Sequence, residues 1–360
     1  MEGVEIKTQR VARRVPYFDF LRIIATVAVI MIHVSCYAWL HGEIGGSAWG
    51  KASIWNGASR WAVPIFVMIS GALFLNPEKN FDMRKMVRKN ILRLVVAFFF
   101  WSIAYICYRV LFCNARDLGT IITAFFSGYY HMWFIVMIIG LYLATPLIRQ
   151  ITKRRELMEY FLIIGIILTF CIIAMDSILE MAALNTSNRV ISIAYSVIHS
   201  FNKSLNPCFF VGYVTYYVLG YYLSSTQLKK KVRILLYIVG VLGFLFTIFF
   251  SKVISLKKGM LLDVFSNLMP GVLAEAVAVF VLTKQLKKRL GKICELTAKL
   301  SFGIYLVHVL VLEIILKLYP IEAEQYGHLL TIGLVIVVFV ISWIISWIIS
   351  KIPLLKWYVI

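Results

Sequence analysis

An all-α, polytopic integral membrane protein with about ten transmembrane helices and both termini cytoplasmic is the fold that this sequence predicts. Three observations carry that prediction. Of 360 residues, 61% are apolar and 15% charged, against roughly 45–50% and 25% in a soluble domain. Apolar runs of about 20 residues, the length that crosses a hydrocarbon core, recur along the whole chain. The net charge of +20 is also segregated: the segments expected inside hold 24 Lys and Arg, and the outer connections hold 7. Short basic loops stay on the cytoplasmic side, which orients the bundle. This arithmetic excludes a soluble enzyme, a nucleic-acid-binding module and a disordered chain. Any active site must lie among the helices or at their ends.

Residues 1–16 read as a basic cytoplasmic N-terminus, 17–350 as the transmembrane unit and 351–360 as a cytoplasmic tail. The first span, near 17–41, is too long for a signal peptide and carries Asp19, Arg22 and His33, so it is retained. The second, 55–75, contains Ser70-Gly71, small residues that let helices approach closely. Spans at 91–112, 131–149 and 157–175 follow, separated by the basic segments 76–90 and 150–156. The outer connection 176–206 is more polar and predicts a short interfacial helix around Val190 to Ser200. Its Asn185-Thr186-Ser187 is a glycosylation acceptor only in a eukaryotic secretory pathway. Further spans are expected at 207–225, 233–251, 265–283, 299–318 and 328–350. Lys257, Lys258 and Asp263 blur the boundary before the eighth. Ser-Trp-Ile-Ile occurs at 342 and again at 346, read as lipid-facing surface. The cysteines Cys36, Cys107, Cys113, Cys171, Cys208 and Cys294 are scattered, which predicts apolar packing and no metal site.

Ionisable residues inside spans cost roughly 2.5–3.5 kcal/mol each at a helix centre, so they mark function or a partner. Asp19 and Arg22 are three apart and can pair. Arg22 and His33 are eleven apart, about 1100° or roughly 20° past three turns, so they share a face, separated by about 16 Å along the axis. Arg60 lies just inside the outer end of the second span, where snorkelling competes with a binding role. His131 begins the fourth span; Tyr142 returns to its face, and Trp133 lies nearly opposite, as an interface anchor does. Ser301, Tyr305 and His308 fall within about 60° of one another. Each of these groups has a plain structural reading as an interhelical hydrogen-bonding residue. Glu275 and Glu313 have no assigned partner.

Five stretches in order resemble the membrane acyltransferase 3 family. They are Tyr17-Phe18-Asp19-Phe20-Leu21-Arg22-Ile23-Ile24-Ala25 followed by His33; Arg60-Trp61-Ala62-Val63-Pro64-Ile65-Phe66 leading to Ser70-Gly71; His131-Met132-Trp133-Phe134 continuing to Tyr142 and Pro146; Tyr217-Val218-Leu219-Gly220-Tyr221; and Leu300-Ser301-Phe302-Gly303-Ile304-Tyr305-Leu306-Val307-His308. Met132 stands where the family usually has Leu, a volume-conserving change. The transferase core standing alone is most similar to the branch that O-acetylates surface polysaccharides or their lipid-linked precursors.

The resemblance implies a multi-pass protein of the cell membrane, bacterial plasma membrane by branch. It would move an acyl group, normally acetyl, from acetyl-CoA or another acyl-CoA inside to a hydroxyl of a carbohydrate or lipid-linked sugar. It implies no bound cofactor. The partners are acyl-CoA, the sugar acceptor and the bilayer, with no nucleic acid. His33 would be the general base or an acyl carrier, two routes that remain open. Arg22 would orient the donor, beside Asp19. Arg60, His131, Trp133, Tyr142, Ser301, Tyr305 and His308 would shape substrate sites. Lys284, Lys287, Lys288, Arg289 and Lys292 read as topology determinants that also attract polyanionic CoA. A transporter or exporter of a polysaccharide or lipid-linked sugar, using the same stripe without chemistry, is the alternative. A non-catalytic subunit of an envelope-synthesis complex is a third, and the lack of an internal repeat weighs against transport. Dependence on acyl-CoA separates them.

Overall fold

A computed structural model describes residues 15–114, 117–186, 188–205, 212–258, 266–286 and 290–358. Among them there is no strand. The chain forms α1 (Pro16–His41), α2 (Ser47–Gly57) and α3 (Ala62–Phe74). The single turn α4 (Met83–Lys85) passes through a wide π turn, Met86–Ile91, into α5 (Leu92–Phe112). Next come α6 (Leu118–Ser127), α7 (Trp133–Thr152), α8 (Arg155–Gly165), a second π turn at Ile166–Cys171, α9 (Ile172–Asn185) and α10 (Arg189–Leu205). The remaining helices are α11 (Tyr213–Ser225), α12 (Lys230–Lys258), α13 (Pro270–Lys284), α14 (Lys292–Leu318), α15 (His328–Ile349) and α16 (Pro353–Tyr358). Among the described residues, eight continuous segments are long and apolar enough to cross a membrane. The other two expected spans are shorter: α11 has 13 residues and α13 has 15. Part of the expected 207–225 span, together with Cys208, Ser187, Asp263, Lys287, Lys288 and Arg289, lies outside the described residues.

Burial separates two kinds of helix. In α1 and α14, 61% of the most apolar window is buried, against 22% in α12 and 28% in α15. The outer helices therefore present Leu235, Ile238, Val241 and Leu245 of α12, and Ile336, Val340 and Ile344 of α15, to their surroundings. Exposed apolar side chains in that number are a lipid face. The repeated Ser-Trp-Ile-Ile is only half outward. Ile344, Trp347 and Ile348 are exposed, but Ser342 and Ser346 are fully buried, and the Trp343 indole donates to Thr297 Oγ1 at 3.0 Å. At helical spacing a four-residue repeat keeps like residues on one side, and here the small hydroxyl side faces α14.

Both long outer connections form helices that the hydropathy reading compressed or passed over. In α10, Val190, Ile193, Val197 and Phe201 form an exposed apolar stripe. Its polar side is tied to α9: Asn202 Nδ2 donates to Asp176 Oδ2 at 2.9 Å, and Tyr195 donates to Glu180 at 3.4 Å. In α6, Asp117 caps the N-terminus by accepting from Thr120 N at 2.7 Å, while Leu118, Ile122 and Phe126 are exposed. One apolar stripe on a short helix is the form of an interfacial segment.

The frame around the core is a crossing of α3 and α11. A Cβ added to Gly71 would sit 1.7 Å from the Tyr217 carbonyl oxygen, and one on Gly220 would sit 2.0 Å from that of Met68. The two backbones touch, as small residues permit in a membrane interior. Nearby, Thr145 of α7 shares a hydrogen bond of 3.0 Å with Tyr217. At the basic end, Arg149 of α7 donates to the carbonyls of Phe74 and Lys79 at 2.8 and 2.6 Å, closing the turn after α3. Substituting Gly71→Ala should separate α3 from α11 and lower stability by about 1–3 kcal/mol, the scale of overpacking. The check is the thermal midpoint in micelles followed by circular dichroism. Gly50→Ala, where nothing lies within 4 Å, should leave that midpoint in place.

Candidate functional site

Three of the six histidines of the chain meet at the centre of the bundle. The ring centroids of His33 and His308 are 5.0 Å apart, those of His131 and His308 5.4 Å, and those of His33 and His131 6.2 Å. They come from α1, α14 and the short 3-10 turn Tyr130–Met132 that precedes α7. His131 thus sits in a turn and not in the helix proper, so the helical count of eleven to Tyr142 does not apply to it. The turn exists because Gly128 adopts φ +70°. That angle lies in the region glycine favours, and it lets the chain double back between α6 and α7.

Two of the three imidazoles are buried; the ring of His308 is fixed by a hydrogen bond, while among the described residues both ring nitrogens of His131 have none. His308 is fully buried, and its Nδ1 lies 2.6 Å from the Tyr305 carbonyl. A carbonyl only accepts, so Nδ1 carries the hydrogen and Nε2 has the lone pair. That Nε2 is buried without a hydrogen-bond partner. His131, 3% exposed, is held through its backbone: the Tyr305 hydroxyl donates to its carbonyl at 2.7 Å. Tyr105 of α5 enters the backbone ladder of α14 itself. Its hydroxyl donates to Leu306 O at 2.9 Å and accepts from Leu310 N at 3.0 Å, bridging the turn that carries His308. Tyr129 stacks on Tyr105 at 4.3 Å and donates to Glu313 Oε1 at 3.1 Å, which gives Glu313 the partner that sequence reasoning lacked.

His33 differs from both. It is partly accessible, and among the described residues its ring nitrogens make no hydrogen bond to the protein. Its ring touches Tyr130 at 5.5 Å and feels the charge of Arg60. The apolar segment that holds Arg60 begins at Ser47, earlier than the expected 55, and Arg60 sits at the break between α2 and α3. There its Nε donates to Asn56 Oδ1 at 2.5 Å. The polar run Asn56 to Arg60 is where the helix breaks, and Trp55 just before it donates from its indole to His328 Nδ1 at the start of α15 at 3.0 Å.

Toward the basic end a cavity of about 390 Å³ opens between α1, α3, α5, α7 and α14. Arg22, Asn90, Arg93 and Lys299 stand at one part of its wall, and Ser70, Tyr142, Ser301 and Tyr305 supply hydroxyls elsewhere. Phe66, Ile69, Leu73, Phe134 and Ile138 make the rest apolar. Arg22 donates from Nη1 to Asp19 at 3.0 Å. The Arg22 side chain remains 27% exposed while that of Asp19 is 4% exposed, so Asp19 backs the guanidinium and Arg22 also reaches the cavity. Ser70 and Tyr142 hydroxyls lie 3.4 Å apart. Ser301 donates to Ala298 O at 2.9 Å. Val29 is on the wall, and His33 follows it by one helical turn, about 6 Å.

The structure therefore groups His33, His131, Tyr305 and His308 at the centre, with Arg60 beside them, and Arg22, Tyr142, Ser301 and Tyr305 around the cavity. Trp133 stands apart, 40% exposed and packed on Tyr213 at 5.7 Å. Arg93 and Lys299 were not singled out from sequence. Each lies at a span boundary next to a basic loop, where topology accounts for it, and only helix packing brings it opposite Arg22. Among the described residues no group of His, Cys, Asp or Glu has the arrangement to hold a metal ion.

No curated protein and no solved structure shows a significant match to the chain. The acyltransferase 3 family profile, described as an acyltransferase domain, matches residues 15–351. That match takes in every helix that lines the cavity and the three histidines, and the chain belongs to this family of membrane acyltransferases.

Proposed function

We propose that the protein is an acyl-CoA-dependent O-acyltransferase that delivers a short acyl group, normally acetyl, to a hydroxyl of a cell-envelope carbohydrate or lipid-linked sugar. The observation that carries the reading is the contrast among the three imidazoles. His131 and His308 are buried, the latter with Nδ1 on the Tyr305 carbonyl, while His33 alone is partly accessible, one turn beyond a cavity with a basic mouth. The basic loops put that mouth on the cytoplasmic side.

In this reading the donor phosphates stay at Arg22, Arg93 and Lys299, whose guanidinium and ammonium groups suit oxyanions. The cavity takes the pantetheine arm along Phe66, Ile69, Leu73 and Ile138 and brings the thioester toward Tyr305 and His33. His33 removes the proton of the acceptor hydroxyl as its oxygen attacks the thioester carbon; the carbon–sulfur bond then breaks and CoA leaves with that proton. A two-step route through an acyl-imidazole uses the same lone pair. In the same reading Arg60 stabilises the oxyanion of the tetrahedral intermediate, as a guanidinium suits. His131 and His308 position His33 and shape the acceptor side. A transporter has no requirement for a nucleophile-activating base beside an anion-binding cavity, so the family match favours chemistry.

The test is CoA release from acetyl-CoA by the protein in lipid bilayers, with an envelope-sugar acceptor extract. His33→Ala should lower turnover by about 10²–10⁴-fold, the usual worth of general-base catalysis, at unchanged thermal midpoint. Unchanged turnover in His33→Ala would remove His33 from the chemistry. Arg93→Ala should raise the KM for acetyl-CoA several-fold with a smaller change in kcat, because it removes binding that ground and transition states share. Tyr105→Phe should release the tie between α5 and the α14 turn that carries His308, cost about 0.5–1.5 kcal/mol of stability and lower kcat more than it raises KM.

A further inference from the structure

A second site lies on the far side of the α2–α3 break from the histidines, in the lipid-facing flank of the bundle. There Ala58, Trp61, Tyr237, Phe244, Ala278 and Leu282 help to line an open groove of about 300 Å³. The groove exists because α12 and α13 are drawn together by small residues and cannot fill it. A Cβ on Gly240 would lie 2.4 Å from that of Ala278, and one on Gly243 would lie 2.8 Å from the Gly271 carbonyl oxygen. Val241 and Leu282 on its rim are 60% and 57% exposed, continuous with the outward apolar face of α12.

One group in this groove does not suit hydrocarbon. Glu275 of α13 lines it, is only 6% exposed, and its Oε1 is buried with no hydrogen-bond partner. The Trp61 indole N–H beside it is already satisfied by Ala58 O at 2.7 Å, so the groove does not complete the carboxyl from its own wall. Neither the family's acyl transfer nor the cavity at the basic end makes use of it.

We infer that this groove binds a neutral membrane lipid alcohol, with its hydroxyl on Glu275 and its hydrocarbon along Val241, Phe244 and Leu282. Three points select that occupant. The groove opens to the lipid face, so what enters it comes from the bilayer. Glu275 brings a carboxyl group into that groove, and a carboxyl repels the phosphate of an anionic or zwitterionic headgroup at contact distance. A carboxyl group is completed by a small partner that both donates and accepts, as a hydroxyl does. The assignment rests on the exposure and chemistry of the groove and is independent of the acyl-transfer reading.

The full chain in phosphatidylcholine nanodiscs tests it with two diazirine-bearing probes of identical acyl chains, a diacylglycerol and a phosphatidylcholine. Cross-linked peptides are mapped by mass spectrometry. The diacylglycerol probe should label α12 and α13 in preference to the outer face of α15, and unlabelled diacylglycerol should compete. Glu275→Leu should cut that labelling by about two- to tenfold, the worth of one hydrogen bond, while Glu275→Gln, which still donates and accepts, should retain most of it. Val279→Trp fills the groove with Glu275 intact and should abolish the labelling, so the assignment stands or falls even where Glu275→Leu fails to fold. Equal labelling by the phosphatidylcholine probe, or labelling indifferent to Val279→Trp, would identify annular lipid only and overturn it.

Discussion

Polar groups in an apolar bundle must find partners inside it, because the surrounding hydrocarbon supplies none. The histidine cluster is the place where that constraint is met at greatest expense, and the neighbouring architecture follows from it. Tyr305 reaches from α14 to the His131 carbonyl, Tyr105 reaches from α5 into the ladder of α14, and Tyr129 reaches to Glu313. Tyrosine suits these positions because its ring packs as a hydrophobe while one hydroxyl answers a distant polar atom. Smaller hydroxyls are settled locally. Thr26, Ser35, Ser53 and Ser102 each donate to a carbonyl one turn back in their own helix, which spends no interhelical contact on them. Among the buried polar atoms left over after this settlement are His308 Nε2 and both ring nitrogens of His131 at the centre and Glu275 Oε1 at the flank.

Much of this was legible in the sequence, for physical reasons that also set the limit. Long apolar helices declare themselves by length, so α1 and α15 were found within a residue of their ends, while α14 was found at its C-terminal end and begins two turns earlier than expected, in a basic stretch. The Ser70-Gly71 and Gly220 positions were readable because closely packed helices need small residues at the crossing. Arg22 and Asp19 were readable as neighbours because helical spacing is fixed. The convergence of His33, His131 and His308 was not, since it depends on how three separate segments pack, and spacing within one helix is silent about the next. The break at Arg60 was missed because a window average reads Asn56-Gly57-Ala58-Ser59-Arg60 as the end of a span. The polarity that marks a membrane edge is the same polarity that interrupts a helix over a site. The interfacial α6 likewise falls below what length alone detects, while α13 was expected and proves shorter, 15 residues.

Rigid and open regions are divided sensibly within the bundle. The α3–α11 backbone crossing and the Arg149 bonds to the turn after α3 fix one wall, and the cavity lies against that wall with both Ile69 and Phe74 lining it. The wide π turns at Met86–Ile91 and Ile166–Cys171 insert extra residues into otherwise regular helices. Such bulges re-aim the residues that follow, and the first immediately precedes Arg93.

The hydrogen on His308 Nδ1 bears on a requirement that any conduit through a membrane shares. An imidazole relays protons only when it can accept at one nitrogen and release from the other. His308 cannot release from Nδ1 without abandoning the Tyr305 carbonyl, and that carbonyl, lacking an ionisable hydrogen of its own, cannot pass a proton on. A proton that reaches Nε2 must return the way it came. Within the cluster His308 is thus a cul-de-sac for charge, a member that can take a proton from one side and return it there but cannot hand it across the bilayer.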